Sequence, residues 1–211
     1  MSYWEHAKPV QRRRAVDVAA LADAAVGLLD AGGLRALTVR AVAAELGVTP
    51  ASLYSRVRGI DDLFDLALDA ALGADVDDPQ ARPGEDFMRL MGEYYRHLVA
   101  HPWAVQVLAA RAPRGPHYLA LSERMVRLLE ARGVHDPLAT AYTVSNFVIG
   151  SATTASMASA EVATPIPREQ APRYAALHAV QNLDPEHLMH AGLRALLAAG
   201  RVPAADPGPE G

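Results

Sequence analysis

Hydrophobic positions recur with the period of an α-helix along most of the chain. Val18, Leu21, Ala25, Leu28 and Leu29 share one face of a first helix, which Gly32 and Gly33 stop. Thr38 is a good N-cap for a short second helix with Val39, Val42, Ala43 and Leu46 inward, ended by Gly47. Thr49 caps a third, with Pro50 at the first helical position, where the missing N–H costs nothing. Gly59 closes that helix after two turns. Ile60, Leu63, Phe64, Ala67, Leu68 and Ala71 then mark a fourth.

The stretch ADVDDPQARPGED is acidic and turn-rich and reads as a linker. Beyond it, Phe87, Leu90, Met91, Tyr94, Tyr95 and Leu98 form a stripe that stops at His101-Pro102. A shorter helix from Trp103 to about Arg111 ends at PRGP. Tyr118, Leu121, Met125, Leu128 and Leu129 carry the next, stopped by Gly133. From Pro137 to about Ala163 runs one long segment of small and apolar residues. TPIPREQAP is a loop, and two last helices are predicted over 168–182 and 185–199. No segment shows the alternation of a strand, so the expected fold is all-α.

Composition narrows the class of protein. Half of the 211 residues are hydrophobic, as in a globular chain, and there is no cysteine, which excludes disulfides and thiolate metal sites. The opening MSYWEHAKPVQRRR lacks an apolar core, so it does not read as a signal peptide, and no run is long enough to cross a bilayer. A cytoplasmic protein without membrane partners is expected. The net charge of -4 is uneven: residues 1–59 carry eight basic side chains against five acids, leaving the excess of acid on the rest. A basic head on an acidic body suits a nucleic-acid partner at the N-terminal end. Enzyme motifs are missing: no phosphate-cradling glycine loop, no G-x-S-x-G elbow, no H-E-x-x-H pair.

Three short helices with Gly47-Val48-Thr49 at the tight corner match a helix-turn-helix. In VTPASLYSRVRG, Leu53 and Val57 lie on the packing side, leaving Ser52, Tyr54, Ser55 and Arg56 to face out. The run LTVRAVAAELGVTPASLYSRVRGIDDLFDLAL resembles the DNA-binding domain of the tetracycline-repressor family. HPWAVQVL, PRGPHYLALSE and GLRALL are similar to the branch nearest the tetracycline repressors themselves. The resemblance implies a base-edge contact by Arg40, base contacts by Ser52 and Ser55, and a phosphate contact by the Tyr54 hydroxyl. It also implies phosphate at the helix starts marked by Thr38 and Thr49. Two departures stand out. Ser55 and Arg56 replace an aromatic-histidine pair, and Ile60 replaces a lysine, whose phosphate contact is lost unless Arg58 supplies it. Arg12-Arg13-Arg14 is either a solvated tail or an arm on phosphate or in the minor groove.

These readings divide the chain into a flexible basic arm (1–14), a helix-turn-helix domain (15–59) and a connecting helix (60–73). A ligand-binding and dimerisation domain (84–200) and a flexible tail (201–211) complete it. An effector cavity should be apolar with few polar groups, and Tyr94, His97, His101, Trp103, Gln106, Tyr142, Asn146 and Thr153 are the candidates. His97 and His101, four apart, share a helix face that suits a metal. No carboxylate or third histidine stands at readable spacing, so His101-Pro102 is read as a helix break and no metal or cofactor is expected. The last helix and the small-residue helix near 140–160 supply the expected homodimer seam, at Gly150, Ala155, Met189, Leu193 and Leu196. The resemblance implies a repressor that binds a pseudo-palindromic duplex operator and is released by a small hydrophobic or amphipathic effector. A ligand-independent DNA-binding dimer or an activator is the alternative.

Overall fold

The computed structural model describes residues 2–6, 16–75, 86–181 and 184–199. A 3₁₀ turn, Tyr3–Glu5, precedes α1 (Val18–Gly32), α2 (Val39–Glu45), α3 (Pro50–Leu53) and α4 (Ile60–Asp75). There follow α5 (Phe87–Ala100), α6 (Pro102–Ala110), α7 (Pro116–Ala131), α8 (Pro137–Ala155), α9 (Ala158–Ala163), α10 (Pro172–His178) and α11 (Pro185–Ala199). Among the described residues there is no strand, and no helix is long and apolar enough to cross a membrane. The proposed linker beyond Asp75, the arginines of the arm and the tail from 201 lie outside the described residues.

The apolar stripes explain the packing. Leu21, Ala25 and Leu29 of α1 are buried with Leu37, Val42, Ala43, Leu53 and Val57, which gives the N-terminal helices one core. α4 closes that core with Leu63 and continues into the rest of the chain with Leu66, Leu68 and Leu72. In the C-terminal part α5, α8 and α11 pack on one another, and α7 packs on both α8 and α4. Phe87, Leu90, Met91, Leu98, Val144, Val148, Met189 and Leu193 are buried there.

α4 also buries charge. Asp62, Asp65 and Asp69 recur at helical spacing and are almost inaccessible, and each is held by a different element. Asp62 accepts the Arg58 backbone N–H at 2.6 Å and sits 3.0 Å from His6 Nε2. Asp65 accepts the Tyr3 N–H at 2.8 Å and the Arg111 Nε–H at 2.9 Å. Asp69 accepts the backbone N–H groups of His117 and Tyr118, at 3.0 and 3.1 Å, from the first turn of α7. A helix start is where a carboxylate is best placed, because its N–H groups lack intrahelical partners. Burial still raises the Asp69 pKa, the two N–H bonds opposing it only in part.

Three expectations are corrected. Residues 2–6 are not a loose arm: Tyr3 is buried against α4, its ring edge-on to Trp4. The long segment 137–163 is broken at Ser156-Met157 into α8 and α9. The helix expected from 168 begins only at Pro172, because proline disfavours helical backbone at the residue before it, and Ala171 is accordingly non-helical.

Tyr3→Ala removes a buried aromatic ring and should lower stability by about 3 kcal/mol. Urea unfolding of the full chain measures this; a loss below roughly 0.5 kcal/mol, the range of ordinary surface changes, would show the docked turn to be incidental.

Candidate nucleic-acid interface and effector cavity

The α2–α3 corner depends on backbone chemistry readable from the chain. Thr38 Oγ1 accepts the Ala41 N–H at 3.0 Å and so caps α2. Gly47 has φ of 63°, a left-handed conformation that favours glycine, and the following Val48 N–H returns to the Ala43 carbonyl at 2.9 Å. α3 starts at Pro50 and is a single turn, prolonged by the Val57 N–H bonding the Leu53 carbonyl. Leu53 and Val57 face the core as expected.

The opposite side of this corner is open. Arg40, Thr49, Ser52, Tyr54, Ser55 and Arg58 are all exposed, and Tyr54 shows 58% of its surface. Thr49 Oγ1 and Ser52 Oγ lie 2.9 Å apart, and Ser55 Oγ donates to the Ser52 carbonyl at 2.8 Å. Arg56 departs from the expected outward set. Its Nε–H donates to the Val16 carbonyl at 2.8 Å, so the side chain turns back to brace the entry of α1.

In the C-terminal part, α5, α6, α7 and α8 line a cavity of about 550 Å³ that is open to solvent on one side, where Leu138 and Tyr142 are exposed. Of the eight candidate ligand residues, Tyr94, Tyr142 and Asn146 reach it. Leu121, Met125, Leu138 and Ile149 supply apolar wall, and Arg111, Arg114, Tyr118, Ser122 and Ser145 supply polar groups. Tyr94 and Tyr118 meet edge to face, 6.4 Å between ring centroids. Burial raises both phenol pKa values well above the ordinary range, so both hydroxyls stay protonated at neutral pH. The Tyr118 hydroxyl is buried and interacts with the Tyr94 hydroxyl at a geometry short of a well-formed hydrogen bond. A buried hydroxyl so weakly satisfied costs free energy that a polar ligand atom would recover.

The other five candidates lie elsewhere. Gln106 is exposed, and exposed Thr153 spends its hydroxyl on the Ile149 carbonyl at 2.7 Å. His97, His101 and Trp103 gather instead where α1, α4, α5 and α6 meet, among Asp30 and Asp75. A single helical stripe shows that a side chain faces inward but not which neighbour it meets, and α5 has neighbours on two sides.

Arg111 is the residue that sequence reasoning missed as a site member. It lines the cavity, yet its guanidinium reaches α4, at 2.9 Å from both Asp61 and Asp65. The hydrogen bond to Asp65, helped by both negative charges, raises its pKa further. The PRGP turn stood out as punctuation, but nothing local indicates that the arginine before it points to a helix 46 residues earlier. Gly115 in that turn is required by close approach: a Cβ there would collide with the Asp69 carboxylate.

The expected dimer seam divides in two. Met189 and Leu193 are buried inside the chain, so neither side chain is on a free face. Gly150 is exposed with open space above it, Leu196 and Ala155 are half-buried, and Leu188 and Met157 are exposed. Between α8, α9 and α11 an open groove is lined by Phe147, Ser151, Met157, Leu188 and Gly192.

A helix-turn-helix held by a long fourth helix to a cavity-bearing helical body defines a class of regulatory proteins. Residues 21–67 match the family model for bacterial regulatory proteins of the tetR family, and residues 78–194 match that of the tetracyclin repressor-like C-terminal domain. The chain belongs to the tetracycline-repressor family. It is 41% identical over 135 residues to an HTH-type transcriptional regulator of Saccharopolyspora erythraea, covering 62% of this chain and 57% of that protein. It is 36% identical over 138 residues to an HTH-type transcriptional repressor of Streptomyces coeruleorubidus, covering 62% and 50%. The match thus spans about half the length of these curated relatives. Among solved structures, Streptomyces coelicolor ActR in complex with actinorhodin superposes with a TM-score of 0.74 at 28% identity, over 91% of this chain and 100% of that one. ActR in complex with (S)-DNPA gives 0.70 at 29%, over 88% and 98%.

Arg111→Met keeps the apolar stem but leaves the buried Asp65 with the Tyr3 N–H alone. Stability should fall by roughly 1–3 kcal/mol, and Asp65→Asn in the same chain should recover part of that loss. Thermal unfolding of the two single variants and the double variant measures the coupling; additive losses would mean that the pair contributes nothing to the joint.

Proposed function

We propose that this protein is a cytoplasmic, homodimeric transcriptional repressor that leaves its operator when a small amphipathic molecule enters the α5–α8 cavity. The observation that carries the reading is Arg111, which belongs at once to the cavity wall and to α4, the helix that closes the helix-turn-helix core. The named regulators and repressors among its relatives, and the small molecules bound by ActR, point the same way.

In this reading residues 15–59 form the DNA-binding head, 60–73 the connecting helix and 84–200 the sensing and dimerising body. Arg40 reads a base edge, Ser52 and Ser55 approach bases, and Tyr54, Arg58 and the starts of α2 and α3 meet phosphate. A twofold dimer sets two such heads about 34–36 Å apart on successive major grooves of a pseudo-palindromic site. The groove beside α8 and α11, lined by exposed Leu188 and Met157, is the face offered to the second copy, together with the exposed Gly150 of α8.

The cavity combines two arginines, several hydroxyls and apolar wall, which suits a largely apolar effector carrying an acidic or phenolic group. Such a group competes with Asp61 and Asp65 for Arg111. An effector shifts an equilibrium only by its differential affinity for the two conformers, and a guanidinium that must choose between partners supplies that difference.

Selection from a random duplex library should return an inverted repeat, and Arg40→Ala should lose about 1–3 kcal/mol on it while relaxing one symmetric position per half-site. Recovery of no repeated motif would sink the operator reading. For the seam, Gly150→Leu should leave melting unchanged but shift sedimentation toward monomer, whereas Leu193→Glu should unfold the chain by burying a charge. A Gly150→Leu variant that stays dimeric would move the interface away from α8.

For sensing, Asn146→Leu and Tyr142→Ala should keep operator affinity while losing release by effector. Equal loss of both would make these two residues structural.

A further inference from the structure

The histidines of the α5 end were read from sequence as a helix break without a carboxylate in reach. The fold supplies two. Asp75, the last residue of α4, places Oδ2 2.9 Å from His97 Nδ1 and 3.1 Å from His101 Nε2. Asp30 of α1 places Oδ1 2.7 Å from His101 Nδ1, and the same oxygen accepts the Trp103 Nε1–H at 2.6 Å. One donor atom from each of Asp75, His97 and His101 lies within 4.8 Å of the others.

From this arrangement we infer a divalent metal site of the zinc class, with His97 Nδ1, His101 Nε2 and an Asp75 oxygen as its ligands. The geometry favours it: His101 spans two carboxylates, with Nδ1 2.7 Å from Asp30 Oδ1 and Nε2 3.1 Å from the same Asp75 oxygen that meets His97 Nδ1. Asp30, itself fixed by Trp103, is the outer carboxylate that orients and strengthens a metal-bound imidazole. Tetrahedral zinc, with bonds of about 2.0–2.2 Å, sets its donors about 3.3 Å apart. The two nitrogens stand slightly closer than that to Asp75 Oδ2, so a small side-chain rotation admits the ion. Two imidazoles and a carboxylate leave a fourth position for water on the side where Asp75 is exposed. The ion would tie the end of α4 to the end of α5 and, through Asp30, both to α1.

The test uses the full-length protein stripped with chelator and dialysed, with no DNA or effector present, so its outcome is separate from that of the repressor reading. Zinc titrated by calorimetry should bind one ion per chain, and cobalt should give the intense visible bands of a tetrahedral site. In a Trp4→Phe background, cobalt should quench the remaining Trp103. His101→Gln and Asp75→Asn, both at partly exposed positions, should weaken zinc at least tenfold; Asp30→Asn should weaken it about 10- to 100-fold. Exposed His135→Gln should change nothing. Metal-free melting curves of each variant confirm that the chain is folded. Absence of stoichiometric uptake, or uptake that survives the combined His101→Gln and Asp75→Asn changes, overturns the site.

Discussion

The row of buried carboxylates on α4 is the constraint on which the remaining architecture depends. An ionised carboxylate removed from water is tolerated only where donors surround it. Each of these three draws its donors from a different direction: Asp62 from the turn before α4 and His6, Asp65 from Tyr3 and Arg111, Asp69 from the start of α7. Apolar contacts alone would let α4 slide or rotate by small amounts at little cost. Directed bonds to three fixed groups set its rotation and its height, so the N-terminal core and the cavity-bearing body share one reference element.

That arrangement gives meaning to features that look peripheral. The 3₁₀ turn at Tyr3–Glu5 brings a backbone donor that completes the shell of Asp65. The glycine at 115 is kept bare because the Asp69 carboxylate passes where its side chain would be. At the far end of the same helix, Asp75 meets the two histidines of α5, so both ends of α4 are anchored through charge.

Much of the helical plan was legible from spacing. Thr38, Gly47, Pro50 and Gly59 punctuate the head through local backbone preferences, and local preferences are what a sequence displays. The exposed face of the corner followed from Leu53 and Val57 facing inward. What could not be read were pairings across long separations. Asp65 and Asp69 look in sequence like an ordinary acidic helix face, since their donors stand 46 to 62 residues away. Asp30 and His101 are 71 residues apart. Arg56 looked outward by helical phase, but α3 is too short for phase to govern its last side chains, and the Val16 carbonyl captured it. The stripe on α11 was correctly read as apolar. A stripe does not say which of its neighbours belongs to the same molecule, and Met189 and Leu193 turned out to face their own chain.

The double allegiance of Arg111 bears on pharmacology. If occupancy acts through that guanidinium, tightness of binding and strength of response are separate properties of a ligand. A wholly apolar molecule filling the space beside Leu121, Met125 and Ile149 would bind well and leave Asp61 and Asp65 with their partner, and so would act as a silent antagonist. A weaker ligand bearing one well-placed anion would be the stronger inducer. Ranking compounds by affinity alone would then select the wrong ones.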